Sequence, residues 1–384
     1  VSLSVLADEN IPAVEHYLGE MASVRYFSGR HLDAAELSGV DALLVRSVTP
    51  VDRRLLADSG VRFVGTATSG FDHVDRRWLA DADIAFAHAP GSNANAVVEY
   101  VLAATAVLDD FLERLLQGGR CGVVGFGHVG ASLVRRLQAL GIDYRVFDPW
   151  LDQAQVPRGA DLDEVLSCDV VSLHCELTRD APWPSEHLLG TAELRRMRGD
   201  SLLINASRGA VVHNTALLRH LQQGAGPTVV LDVWEGEPDI NRDLLQQVAL
   251  GTAHIAGYSS DGKVLATRMI CSALAACLGL PEPTVDSPLE APAELHLAGE
   301  GGAALLRRLL CGRYDILRDD ALLRGALLAA GRVEARERFD DLRRDYAGRR
   351  ELAATTVRGD VADEADIERV RALGCRYRRP GEPA

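Results

Sequence analysis

Lysine is almost missing from this chain. Lys263 is the only one, so basic charge rests on arginine, a bias of genome composition rather than of chemistry. Acidic residues outnumber basic ones, 55 to 41, and the net charge of −14 argues against a nucleic-acid or anionic-membrane partner. The seven cysteines (Cys121, Cys168, Cys175, Cys271, Cys277, Cys311, Cys375) form no CxxC pair and no Cys/His ligand spacing. That pattern excludes a disulfide framework and a cysteine-held metal, and it reads as small core residues in a reducing compartment. No apolar stretch is long enough to span a bilayer and no secretory signal is seen, so the expectation is a soluble, cytoplasmic chain. With 384 residues and 47% apolar content, there is material for two or three domains with proper cores.

The most informative stretch is Arg120–Asp148. Cys121–Val124 is a short apolar run, followed by Gly125-x-Gly127-x-x-Gly130. Ala131–Leu140 then places Leu133, Val134, Leu137 and Leu140 on one helical face. A second apolar strand, Tyr144–Phe147, ends in Asp148, eighteen residues after Gly130. Strand, glycine turn, helix, strand and acid in this register form a dinucleotide fingerprint. Gly125 permits the tight turn, Gly127 admits a pyrophosphate and Gly130 lets the helix pack on the strand. The helix N-terminus offers N–H groups to phosphate, and Asp148 accepts from a ribose hydroxyl. Its charge would repel a 2′-phosphate, which selects NAD over NADP.

The remaining chain repeats the alternation. Strands are expected at Ser2–Ala7, Val40–Val45, Val61–Gly65 and Ile84–Ala87, with a helix starting at Val14–Leu18. After the Pro90–Asn93 break comes a long helix, Ala96–Leu116. Beyond Asp148 follow strands Val170–Leu173, Leu202–Asn205, Thr228–Leu231 and Leu250–His254, with helices Leu162–Leu166 and Thr215–Gln222. A helix at Gly262–Leu278 should return to the first domain, and proline-bearing 281–288 reads as a linker. The C-terminal stretch suggests strands at Leu295–Ala298 and Thr355–Val357, helices at Ala303–Leu310, Phe339–Glu351 and Ala365–Leu373, and an arginine-rich tail. The expected fold is α/β, with two doubly wound parallel-sheet domains and a C-terminal α+β module. The substrate domain, flavodoxin-like, spans 1–92 plus 255–285; the Rossmann NAD domain spans 93–254; the last module spans 286–384.

Ligands of such sheets bind beyond the carboxyl ends of the strands. Arg46, Ser47 and Thr68 lie there in the first domain and suit an anionic substrate. In the second domain Arg208, Glu237 and His254 follow three separate strands. A guanidinium in Ser-Arg-Gly can hold a carboxylate through two parallel hydrogen bonds. An imidazole can take a proton near neutral pH, and a carboxylate on its other nitrogen would orient it. Together they describe oxidation of a 2-hydroxy acid: Arg208 anchors the carboxylate, His254 removes the hydroxyl proton and NAD takes the hydride.

These stretches resemble the D-isomer-specific 2-hydroxyacid dehydrogenases. The resemblance rests on Gly125–Gly130, Asn205-Ala-Ser-Arg-Gly-Ala210, Leu231-Asp-Val-Trp-Glu-Gly-Glu-Pro238 and Gly251-Thr-Ala-His-Ile-Ala-Gly-Tyr258. It extends through Leu6–Asn10, Val45–Thr49, Gly65–Gly70, Val97–Tyr100 and Tyr314–Asp320, nearly the whole chain. It implies catalytic roles for Arg208, Glu237 and His254, and substrate contacts from Ser47, Thr68 and Tyr258. For the substrate phosphate there are two candidates, Arg46 and an arginine from a partner's C-terminal module. It implies NAD contacts from Phe126, His128 and Val129 in the glycine turn, and from Asp148, Cys175, Ala206, Ser207, Asp232 and Gly257. Cys175 stands where threonine would be usual, and a thiol is the poorer hydrogen-bond partner. The implied substrate is a small phosphorylated hydroxy acid, and the C-terminal module is implied to join a homodimer. Two rival readings are the same chemistry on 3-phosphoglycerate and a non-catalytic NAD(H)-sensing protein; the intact Arg208, Glu237 and His254 set speaks against the second.

Overall fold

The computed structural model describes residues 3–29, 32–224 and 226–379. They form two compact units: residues up to Asn93 with Ser259–Glu290, and Ala94–Tyr258 with the chain from Ala291 onward.

The first unit holds β1 (Leu3–Asp8), β2 (Ala22–Phe27), β3 (Ala42–Val45), β4 (Phe63–Thr66) and β5 (Ala85–His88). All neighbours are parallel, in the order β2-β1-β3-β4-β5. Ser2, expected to open the first strand, lies outside the described residues. β2 was not expected. Its side chains are mostly exposed or half-buried, as an edge strand allows, and so it lacks the apolar run of a central strand. The helix Ser260–Leu278 puts Ile270 and Leu274 into one core with Val5, Leu44 and Phe63 of the sheet.

The second unit carries β6 (Arg120–Val124), β7 (Asp143–Phe147), β8 (Val170–Leu173), β9 (Leu202–Asn205), β10 (Thr228–Leu231) and β11 (Leu250–Gly251). Read from the other edge, the order is β7-β6-β8-β9-β10-β11, again parallel throughout. The chain therefore switches direction between β6 and β8, the place where doubly wound sheets open a ligand crevice. Alternate residues feed two cores: Val123, Val170, Ile204 and Val230 one, Val124, Val171, Leu203 and Val229 the other.

The C-terminal segment adds a parallel sheet of β12 (Leu295–Glu300), β13 (Thr356–Val361) and β14 (Arg376–Arg378). Its helices join both cores of the larger sheet. Leu305, Leu306 and Leu309 of Gly302–Arg313 enter one, and Leu323, Leu327 and Phe339 enter the other.

Several expected boundaries are corrected. The long helix is two, Ala94–Val107 and Phe111–Leu116, broken where Asp109 takes φ 40°. The final strand of the NAD unit stops at Gly251, and His254 has φ 56°. The helix expected at Phe339–Glu351 runs instead over Arg332–Arg344. Beyond it Tyr346 and Arg349 turn inward to polar partners, which local helix preference does not anticipate. A helix at Ile316–Leu327 was not expected; Asp315 caps it by accepting from the Arg318 N–H at 3.0 Å. The tail contains β14. Among the described residues no helix is long and apolar enough to cross a membrane.

Inside this unit Glu99 of the helix Ala94–Val107 is buried, accepting from the Leu352 N–H at 2.7 Å. Burial and the nearby Glu351 carboxylate push the Glu99 carboxyl up to about 8, against the pull of Arg349, the Leu352 N–H and Arg136. A raised carboxyl keeps its proton longer in the folded chain. Its contribution to stability is full below the ordinary 4.5 and is lost as pH rises through about 8. Glu99→Gln should therefore flatten the decline of unfolding free energy over that window, measured by urea denaturation; an unchanged slope would refute the assignment.

Candidate active site

The cofactor end begins at Gly125, whose φ of +92° and closeness to Cys175 leave no room for a side chain: an added Cβ would lie 2.6 Å from the Cys175 nitrogen. The turn after β6 thus lies against the end of β8, at the switch point. At Gly130 an added Cβ would overlap the Gly125 carbonyl, so this glycine seats the helix on the turn. Above Gly127, by contrast, there is open space. The helix His128–Ala139 starts there without a side-chain cap, so its first N–H groups are not taken by a cap. Asp148 reaches back to this turn. Its Oδ2 accepts from the Phe126 N–H at 2.8 Å and its Oδ1 from the Trp150 N–H at 3.0 Å. An uncapped helix end, an unobstructed glycine and an acid fastened beside them suit a pyrophosphate and an adenosine ribose.

Cys175 sits within electrostatic reach of both Asp148 and Arg208, and burial pushes its thiol up to about 12. It is a protonated thiol, not a nucleophile. The neighbouring His174 was not singled out from sequence. Its Nε2 meets the Ser172 hydroxyl at 2.9 Å, and burial pushes it down to about 3, so the ring is neutral.

Arg208, Glu237 and His254 come from the loops after β9, β10 and β11. Asn205 shapes the first loop: its Oδ1 accepts from the Ser207 N–H and hydroxyl, and its Nδ2 donates to the Arg208 carbonyl. At Gly209 an added Cβ would overlap the Trp234 carbonyl group. The Arg208 loop and the Glu237 loop are therefore in direct backbone contact. Trp234 is fully buried, its indole N–H donating to the Thr252 carbonyl at 2.9 Å. That bond ties the second loop to the third.

Glu237 uses both oxygens. Oε2 accepts from the Trp234 N–H at 3.1 Å, and Oε1 pairs with His254 Nδ1 at 2.5 Å. Burial raises this carboxyl, but His254, Arg343 and the Trp234 N–H together outweigh it and hold it below the usual carboxylate range. A carboxylate at Nδ1 fixes the tautomer, leaving the Nε2 lone pair to accept a proton. The acid–imidazole contact expected from the loop spacing is present.

Asp232 is buried with its carboxylate fully engaged. Oδ1 accepts from the Thr252 hydroxyl at 2.7 Å and the Ile255 N–H at 2.8 Å, and Oδ2 from the Ala256 N–H at 3.0 Å. Its own carbonyl accepts from the His254 N–H at 2.7 Å. The residue thus wraps the His254 turn. A non-glycine residue at positive φ costs about 1–3 kcal/mol and persists only where neighbours enforce it; Asp232 is one such neighbour. Gly257 and Tyr258 complete the turn, the Tyr258 N–H donating to the Ile255 carbonyl at 2.8 Å. Ala206 is half-buried beside the buried Ser207.

Arg343, from the C-terminal segment, was missed. It is electrostatically coupled to Tyr258 and Glu237, which hold its guanidinium above its usual value against the pull of burial. No sequence motif marks it, because its position depends on the helix Arg332–Arg344 returning to this unit.

In the first unit, Arg46 follows β3 and pairs through Nε with Asp8 Oδ2 at 3.1 Å. Ser47 is exposed beside it. The Thr68 hydroxyl meets Thr66 Oγ1 at 2.7 Å and donates to the Gly70 carbonyl at 2.7 Å. Lys263, the lone lysine, is a second cation here: burial and the charge of Arg46 hold its ammonium below the usual range.

Beside the loop that leads to Glu237, His187, His213 and Glu235 bring ligand-type atoms within 4.8 Å of one another. Glu235 Oε1 pairs with His187 Nε2 at 2.5 Å and Oε2 accepts from the Asn214 N–H at 3.0 Å. His213 Nδ1 accepts from the Ala216 N–H at 3.3 Å. A ring accepting at Nδ1 carries its proton on Nε2, so the trio reads as a hydrogen-bonded brace rather than a cation site.

Residues 103–256 match the family model described as D-isomer specific 2-hydroxyacid dehydrogenase, NAD binding domain. Residues 288–374 match a domain of unknown function (DUF3410). The erythronate-4-phosphate dehydrogenase of Cellvibrio japonicus is 44% identical over 97% of this chain and 100% of its own length. The chain belongs to the erythronate-4-phosphate dehydrogenase family. Another member, from Stutzerimonas stutzeri, is 43% identical over 98% of this chain and 100% of its own. Among solved structures, the TT0316 protein of Thermus thermophilus covers 74% of this chain and 100% of its own, with 26% identity and a TM-score of 0.62. The D-lactate dehydrogenase of Aquifex aeolicus, complexed with NAD and lactic acid, covers 72% of this chain and 95% of its own; with 22% identity and a TM-score of 0.59 it shares the fold.

The backbone contact at Gly209 yields a test. Gly209→Ala must push the Trp234 turn away, so stability should drop by about 1–3 kcal/mol and turnover should fall at least about tenfold as Glu237 moves. Thermal denaturation and steady-state kinetics would show it; wild-type values in both would mean the loops are not coupled. Removing the Asp148 charge, as Asp148→Asn, should narrow the preference for NAD over NADP in kcat/KM. An unchanged ratio would take selectivity away from this residue.

Proposed function

We propose that the protein oxidises 4-phospho-D-erythronate to (R)-3-hydroxy-2-oxo-4-phosphobutanoate with NAD, a step of pyridoxal 5′-phosphate (vitamin B6) biosynthesis. The observation that carries this reading is the 2.5 Å contact of Glu237 with His254, on loops locked to that of Arg208, in a chain of this family. The glycine turn, the helix starting at His128 and Asp148 would hold NAD, with Cys175, Ala206, Ser207, Asp232 and Gly257 beside it. When bound, NAD supplies the hydride acceptor.

Arg208 holds the substrate carboxylate and polarises the C2 oxygen as it becomes a carbonyl. His254 accepts the C2 hydroxyl proton at Nε2, and Glu237 stabilises the imidazolium formed. Ser47, Thr68 and Tyr258 contact the substrate, and its phosphate falls to Arg46 or to an arginine of a partner's C-terminal module. This enzyme is read as cytoplasmic, where its seven free thiols stay reduced. A homodimer through residues 286–384 belongs to the same reading. It is supported by the exposed Leu317, Leu322, Leu328 and Val333, apolar side chains of the C-terminal helices and the turn between them; sedimentation would give its mass.

The decisive assay compares 4-phospho-D-erythronate with 3-phospho-D-glycerate, following NADH. Preference for phosphoglycerate would end the substrate assignment. His254→Gln should lower kcat by about 10²–10⁴-fold, and full turnover in that variant would remove its role as base.

A further inference from the structure

The turn that carries His254 is held from a second direction, by a residue of the segment that matches a domain of unknown function. Arg349 is buried, 8% exposed. Its Nη2 donates to the Ala256 carbonyl at 2.6 Å and the Ala96 carbonyl at 2.8 Å. Its Nη1 donates to the Tyr258 carbonyl at 3.1 Å and the Ile255 carbonyl at 3.4 Å. The guanidinium also lies 4.0 Å from the centre of the Tyr314 ring. Three of the four carbonyl acceptors belong to the residues just after His254. Asp232 takes N–H groups of the same short turn. A carboxylate on its donors and a guanidinium on its acceptors thus hold one stretch of backbone. On the strand before His254, Asp320 Oδ1 accepts from the Gly251 N–H at 2.7 Å, so C-terminal side chains grip both approaches to the imidazole.

Buried carbonyls without donors are costly, and four converging on two nitrogens match the fixed fork of a guanidinium, not a point-charge ammonium. The His254 backbone is left-handed and depends on such restraint. We propose that Arg349 is a positioning residue for the reaction: by clamping residues 255–258 to the helix Ala94–Val107 it keeps the His254 imidazole on Glu237. Arg349 would then act on turnover through the His254 turn and not by contact with substrate. This rests on His254 being the base, as proposed above.

The test uses the full chain with Arg349→Met and Arg349→Lys. Val370→Ala serves as control, a truncation buried in the same module. Arg349→Met should fold, lose about a hundredfold in kcat with a much smaller change in KM for the hydroxy acid, and exchange its amides at 255–258 faster. Arg349→Lys should fall between it and wild type. Val370→Ala should melt lower with kcat unchanged. Wild-type kcat in Arg349→Met, or an equal kcat loss in Val370→Ala, overturns the proposal. If the methionine variant does not fold, the lysine variant decides: reduced kcat supports the clamp and full kcat refutes it. Amide exchange needs no substrate. Failure of wild type to oxidise 4-phospho-D-erythronate would therefore strike the substrate assignment alone, whereas unchanged exchange at 255–258 in Arg349→Met would strike the clamp.

Discussion

The backbone at His254 leaves its strand early and turns through a left-handed residue, and the geometry around the imidazole depends on that turn. Such a conformation is disfavoured for any side chain with a Cβ. It is maintained because polar groups just beyond it have buried partners: Asp232 for the N–H groups of Ile255 and Ala256, Arg349 for the carbonyls of Ile255, Ala256 and Tyr258. Were either side left unsatisfied, the desolvation penalty would fall on a segment with little regular secondary structure of its own. With both satisfied, the ring is delivered to Glu237, which is itself tied down at its second oxygen.

The same economy of contacts unites the three chemical loops. Gly209 admits the Trp234 backbone, Trp234 bonds the Thr252 carbonyl, and the Thr252 hydroxyl bonds Asp232. Arg208, Glu237 and His254 thus stand on one hydrogen-bonded frame at the carboxyl edge of the parallel sheet. The dinucleotide turn occupies the switch point of that sheet, where Gly125 meets Cys175. Catalysis demands placement to a fraction of an ångström, and frames of this kind supply it where isolated loops would not.

Much of this architecture was legible in advance. The central strands are short apolar runs because both their faces are covered, and the glycine spacing, Asp148 and the three polar loop residues stand out for the same reason: each is chemically unusual at the end of such a run. Elements whose residues look ordinary were not legible. β2 is an edge strand with exposed side chains, and the helix Ile316–Leu327 buries only a few of its residues. The pattern around Phe339 favoured a helix through Glu351, yet the chain leaves the helix at Arg344 so that Tyr346 and Arg349 can reach buried partners.

The sequence by itself determined the alternation of strands and helices, the NAD fingerprint and the identity of the guanidinium, carboxylate and imidazole, because these follow from local periodicity and from residue types with few other uses. Tertiary structure alone decided that Asp232 would wrap the His254 turn, that Arg343 would approach Glu237 and that Arg349 would cap the carbonyls beyond the imidazole. Those roles arise between residues up to 253 positions apart. An arginine in a charged stretch carries no local sign of which buried carbonyls it will meet, since that depends on the packing of elements remote in the chain.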